Sequence, residues 1–130
     1  MLQAGYNFDF VISEGEEVGC VGIEKLEKRL PESTAEIAIV IDRRKGDEVL
    51  KGGGSDVYCS TLAQSISNFF KGAFKVTTGS ISDTRVICKY MESVNISAGY
   101  YGAHTATEFT NFKELENIKN CIERIVDGTF

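Results

Sequence analysis

Glu16 and Glu17 stand side by side in Ser13-Glu14-Gly15-Glu16-Glu17-Val18-Gly19, Asp42 lies directly behind the apolar run Ile37 to Ile41, and His104, the one histidine, lies in Gly99-Tyr100-Tyr101-Gly102-Ala103-His104-Thr105. Carboxylates and an imidazole can exchange protons near neutral pH and can bind divalent metals through oxygen and nitrogen. Asp83, in Gly79-Ser80-Ile81-Ser82-Asp83-Thr84, and Glu108, shortly after His104, add two more carboxylates. Each residue also has an ordinary structural reading. Adjacent glutamates suit a helix N-terminus, Asp42 before Arg43-Arg44-Lys45 suits a surface turn with local ion pairs, Asp83 suits a helix start, and a histidine in a Gly-rich loop suits solvent. Gly52-Gly53-Gly54-Ser55 lacks the Lys-Ser/Thr pair of a phosphate loop and reads as a flexible turn.

The elements that would position these groups follow from hydrophobic periodicity. Tyr6 to Ile12 is aromatic and β-branched, bounded by Gly5 and a Ser-Glu-Gly turn, and reads as a strand. Val18 to Leu30 has near-helical spacing and ends at Pro31. Ile37 to Ile41 is a continuous apolar run, the pattern of a strand covered on both faces in a parallel sheet. Asp42 to Ser55 reads as a polar connection to a second helix, Asp56 to about Phe70, with Ser55 as N-cap. Ala73 to Thr78 reads as a short strand, Ser82 to Tyr90 as a short helix capped by Ser82 or Ser80, and Val94 to Ala98 as a further strand. In the last segment Phe112, Leu115, Ile118, Ile122, Ile125 and Val126 recur at three and four residues. Asn111 is its N-cap, Glu114 completes a capping box, and Asp127-Gly128 closes it.

Strands alternating with helices predict an α/β three-layer sandwich with a mostly parallel sheet. Ligands bind beyond the carboxyl ends of such strands, where Glu16, Glu17, Asp42 and His104 would face one cleft.

At 130 residues and 42% hydrophobic composition the chain reads as one domain, residues 1–130, able to build a core without a disulfide or metal. Its net charge of −5 argues against nucleic acid as a partner and suits a cation or small polar substrate. The four cysteines, at 20, 59, 88 and 121, form no CxxC pair and read as reduced, buried thiols. With no signal peptide pattern and no long apolar run, the chain reads as cytoplasmic with no membrane contact.

The motif order Glu-Gly-Glu-Glu-Val-Gly-Cys-Val-Gly, an apolar strand ending in Asp42-Arg43, Gly-Ser-Ile-Ser-Asp-Thr, then Asn-Ile-Ser-Ala-Gly-Tyr-Tyr-Gly-Ala-His-Thr-Ala-Thr-Glu-Phe resembles the zinc exopeptidases of the co-catalytic two-metal clan. These comprise aminopeptidases, tripeptidases, carboxypeptidases and related amidohydrolases. The likeness runs from about Phe8 to Val126 and implies a phosphorylase/hydrolase-like fold. It makes Glu16 the general base and Glu17 a metal ligand shared with His104, while Asp42 binds the other of two zinc ions. Asp83, with Ser82 and Thr84, matches a segment near the substrate pocket, and Glu108 would orient the His104 loop.

The clan also places a His-x-Asp segment and a bridging aspartate ahead of the Glu-Glu pair, whereas Met1 to Ser13 holds no histidine and only Asp9. The resemblance therefore implies the C-terminal portion of a catalytic domain, truncated at the N-terminus and without the lid domain of many relatives. Peptide or amide hydrolysis by metal-activated water is expected of the complete site, and little activity of the chain alone, with metal bound weakly or not at all. The alternative is a non-catalytic interaction or oligomerisation module that keeps the fold. Either reading expects a homo-oligomer or pairing with the missing segment.

Overall fold

The computed structural model describes residues 8–53, 60–79 and 82–127. Four strands form the main sheet: β1 (Ile37–Arg43), β2 (Glu48–Gly53), β3 (Lys75–Gly79) and β4 (Glu92–Ser97), in the order β1-β4-β2-β3. β1 runs parallel to β4 and β2 parallel to β3, while β2 and β4 are antiparallel, so two of the three pairings are parallel. Helices α2 (Ser60–Phe69) and α4 (Phe112–Val126) cover one face through Leu62, Ala63, Ile66, Ile118, Ile122 and Ile125, against Val49, Val94 and Ile96. On the other face, α1 (Val21–Leu26) and α3 (Thr84–Ile87) supply Ile23, Val86 and Ile87, joined by Cys20. This is a three-layer α/β sandwich.

β1 shows why a continuous apolar run forms a strand here. Ile37 and Ile39 pack into the first core, and Ala38 and Val40 into the second. Successive side chains point to opposite faces, so a strand packed on both sides is apolar at successive positions; at this sheet edge the four residues are partly buried and Ile41 is exposed. β4, the central neighbour of β1, is buried from Ser93 to Ser97.

Several local expectations change. Phe8 to Ile12 is not a strand; Phe10, Val11 and Ile12 are exposed, and β-branched residues make a strand only where a neighbour pairs with them. Tyr6 and Asn7 lie outside the described residues. The expected helix from Val18 to Leu30 is divided into a 3-10 turn at Glu16–Val18, then α1, then a 3-10 stretch at Glu27–Glu32. The break falls at Gly19, whose φ of 106° is open to glycine alone, and at Cys20 with φ 63°. Pro31 lies inside the last stretch and the helix ends one residue beyond it; lacking an N–H, proline cannot sustain the α ladder.

β2 was hidden in a segment that reads as polar. Its Glu48 is buried because Arg43 Nε and Lys45 Nζ donate to the two carboxylate oxygens at 2.7 and 2.6 Å. The other strands and α3 occur near their expected places with shifted ends, and Asp83 rather than Ser82 precedes α3. Ser55, Val57, Cys59, Ser80 and Gly128 lie outside the described residues. Two short strands, β5 (Tyr100–Tyr101) and β6 (Phe109–Thr110), pair antiparallel around the His104 loop. Asn111 caps α4 as its type predicts, its side chain accepting from the N–H groups of Lys113 and Glu114. Glu114 does not return the bond of a capping box: its carboxylate accepts from the Tyr101 hydroxyl at 2.7 Å, while the Asn111 N–H donates to the Gly99 carbonyl.

Candidate functional site

Asp42 and His104 reach the same edge of the sheet because β1 and β4 are parallel neighbours. Asp42 is the penultimate residue of β1, and His104 lies in the β5–β6 loop that follows β4. Asp42 is fixed through its backbone: its N–H donates to the Asn95 side chain of β4 at 3.1 Å, and its carbonyl accepts from the Tyr100 hydroxyl at 2.8 Å.

Glu16 and Glu17 are carried by the 3-10 turn before α1, not by the end of a strand. Its geometry depends on close backbone packing. The Gly22 N–H donates to the Glu14 carbonyl at 2.8 Å, and a Cβ on Gly22 would meet that oxygen at 2.5 Å. Only glycine allows this approach.

His104 has φ 63°, a left-handed conformation uncommon for a residue with a side chain. Its backbone N–H donates to a Glu108 carboxylate oxygen at 2.9 Å, and the adjacent Thr105 hydroxyl donates to the Gly102 carbonyl at 2.6 Å. In this loop conformation His104 Nε2 lies 3.4 Å from Glu17 Oε1, bringing together side chains 87 positions apart in sequence, which both remain largely exposed.

The charges are concentrated. Glu16 is lifted from the usual 4.5 to about 7, first by burial and then by the negative charges of Asp42, Glu17 and Asp83, with His104 acting in the opposite direction. Burial, followed by Glu17 and Asp83, also raises Asp42. Tyr100 is raised by burial and by Asp42. All six residues singled out from the sequence thus bear on one region, with Asp83 buried beneath it and Glu108 behind the His104 loop.

Glu17 and His104 offer one carboxylate oxygen and one imidazole nitrogen facing each other, a pair that suits zinc. Among the described residues, no group of three His, Cys, Asp or Glu side chains is close enough to hold an ion. Asp42 feels the Glu17 charge but does not complete a three-residue group with the pair. Sequence reasoning did not find Ser13, whose hydroxyl donates to Asp83, or Tyr100, which braces Asp42. A hydroxyl carries no signal of its partner when that partner is 70 or 58 residues away.

No protein family profile matches the chain, and no curated protein does. Among solved structures it is similar to the PhTET1-12s dodecamer, with a TM-score of 0.66 and 18% identity over 88% of this chain and 39% of that one. It is also similar to the Pyrococcus horikoshii TET1 peptidase, which can assemble into a tetrahedron or a large octahedral shell; there the TM-score is 0.64 with 19% identity, over 85% of this chain and 38% of that one. The chain therefore spans about two fifths of the length of these structures. No helix among the described residues is long and apolar enough to cross a membrane. At this identity the likeness establishes architecture: the chain has the α/β fold of part of a TET peptidase structure.

Proposed function

We propose that the chain is a portion of a metallopeptidase-like hydrolase that carries the general base and part of the metal-binding set for cleaving a peptide or related amide bond. The observation that carries this reading is Glu16, a carboxyl poised at about 7 among Glu17, Asp42, Asp83 and His104. A group with that affinity exchanges protons at neutral pH, as a general base must. Glu16 takes the proton of the attacking water at its carboxylate and returns it to the leaving amine, while Glu17 and His104 form a pair able to grip one zinc ion and Asp42 supplies a donor to a second. Bound zinc would polarise the scissile carbonyl and acidify the water. Glu108 holds the His104 loop through the backbone.

The unit is proposed as a single domain, residues 1–130, a portion of a catalytic domain without an inserted lid, a reading supported by the short connection between β1 and β2. Cytoplasmic location accords with Cys20 and Cys121 as free thiols.

With the ligand set partial, the purified chain should bind Zn²⁺ or Co²⁺ weakly, and the binding should fall in Glu17→Gln and His104→Ala when followed by calorimetry or the Co²⁺ spectrum. Hydrolysis of aminoacyl and N-acylated amide substrates should stay at trace level. Metal binding indifferent to both substitutions would overturn the assignment, and strong zinc-dependent release of amino acids would overturn the partial site.

A second reading, a non-catalytic oligomerisation module, is favoured by Phe10, Val11, Ile12 and Val18, which are 56%, 52%, 84% and 77% exposed. Apolar exposure of this kind marks contact surfaces. The similar TET structures are assemblies, a dodecamer and a tetrahedron or octahedral shell. Light scattering after size-exclusion chromatography should give a homo-oligomer that Ile12→Asp with Val18→Asp dissociates; a monomer at all concentrations would exclude it.

A further inference from the structure

Asp83 precedes α3 and is only 6% exposed, yet its side chain makes no capping bond to that helix. The neighbouring hydroxyls satisfy the local need: Thr84 N–H points to Ser82 Oγ, which lies 2.7 Å from Thr84 Oγ1. The Asp83 carboxylate turns instead to a segment distant in sequence. It accepts from the Ser13 hydroxyl, and the Cys20 thiol lies against it, feeling both its charge and its hydrogen bonding. Ser13 stands three residues before Glu16, and Cys20 three residues after Glu17.

The other oxygen, Oδ1, is buried without a partner among the described residues. A buried acceptor left unsatisfied loses its hydration without compensation, at a larger cost when it is charged. Carboxylates at Glu16 and Asp42 add repulsion, since both feel the Asp83 charge. The Asp83 side chain makes no cap bond to α3, and its hydrogen bond goes to Ser13, at the start of the turn that carries Glu16 and Glu17. That turn is otherwise closed by backbone bonds, among them Val21 N–H to the Gly15 carbonyl and Gly22 N–H to the Glu14 carbonyl, and by exposed side-chain pairs, Lys25 with Glu14 and His104 with Glu17.

We propose that Asp83 is a positioning residue: by gripping Ser13 and lying against Cys20 it fixes both ends of the turn that carries Glu16 and Glu17, and so sets these carboxylates against Asp42 and His104. The functional meaning rests on the reading of Glu16 as base and Glu17 as ligand; the mechanical clamp does not.

The test uses the full chain and its Asp83→Ala, Asp83→Asn and Ser13→Ala variants, with two readouts of the turn. These are amide hydrogen exchange at Val21 and Gly22 and the iodoacetamide alkylation rate of Cys20, mapped by mass spectrometry. Asp83→Ala should speed both by about tenfold, as for loss of one hydrogen bond to a charged group, while exchange at Ile118 and Ile122 in α4 is unchanged. Asp83→Asn keeps an acceptor oxygen for Ser13 and should restore amide exchange at Val21 and Gly22 to within about threefold of native, a rescue that a general packing defect would not show, while Cys20 alkylation stays faster because the charge opposing its thiolate is gone. Should Asp83→Ala fail to fold, Ser13→Ala, which spares the core, should release the turn by itself. An unchanged turn in the folded variants, loosening of α4 in parallel, or Asp83→Asn behaving like Asp83→Ala in amide exchange each overturns the clamp. Co²⁺ binding by the same proteins separates the two ideas: a released turn with Co²⁺ binding indifferent to Glu17→Gln keeps the clamp and removes the metallopeptidase reading.

Discussion

Replacing Glu16 by Gln should stabilise the protein above neutral pH and leave its stability unchanged in acid. Glu16 ionises at about 7 in the fold against the ordinary 4.5, because burial and the charges of Asp42, Glu17 and Asp83 oppose its ionisation. Between these values the folded protein holds a proton that the unfolded chain has released, so stability falls as pH rises through the window and the whole penalty is present above pH 7. At 1.36 kcal/mol per pH unit the limit is about 3 kcal/mol. Solvent screening of a half-buried side chain reduces it to about 1–2 kcal/mol. At roughly 4 °C per kcal/mol for a chain of this length, the Gln protein should melt about 4–8 °C higher at pH 8, and at the same temperature near pH 4. The assay is thermal and urea unfolding of both proteins from pH 4 to 8, with a chelator present so that no cation neutralises the cluster. A difference that is flat with pH, or a Gln protein less stable at pH 8, would refute the electrostatic argument. Asp42→Asn provides a check on the cause: Asp42 is the largest of the charges raising Glu16, so its removal should bring the Glu16 midpoint down in a carboxyl NMR titration.

Three further outcomes follow from the packing around the site. Gly22→Ala places a Cβ 2.5 and 2.6 Å from backbone atoms of Glu14 and should cost about 1–3 kcal/mol in urea unfolding, with exchange fastest in the turn. Glu48→Ala leaves Arg43, whose side chain is only 14% exposed, without its carboxylate and should cost about 3 kcal/mol. Burial works against the Glu48 carboxylate, but Lys45 and Arg43 outweigh it and hold its pKa below the usual 4.5. Its stabilisation is therefore present above that value and lost as pH falls through the depressed one, opposite in sign to Glu16. Asn111→Ala removes the acceptor for two N–H groups at the start of α4 and should cost about 1 kcal/mol, read by thermal unfolding.

Where a segment's own pattern encodes its partners, the sequence is enough. α4 and its Asn111 cap are legible because period and cap lie within one stretch, and β1 is legible because its apolar run packs, partly buried, against cores on both faces. β2 escapes because Glu48 is buried by an ion pair that residue type does not announce. The segment at Phe8 to Ile12 misleads because strand-forming residues find no neighbouring strand among the described residues.

The site divides in the same way. The sequence by itself supplied Glu16, Glu17, Asp42, Asp83, His104 and Glu108 as chemical groups in a telling order. Tertiary structure decided that His104 meets Glu17, that Asp83 bonds Ser13, and that Glu16 sits among enough negative charge to hold its proton near neutrality. Composition fixes the number of charges in a chain, but the energy of each depends on distance and solvent exposure, and these exist only after the chain has folded.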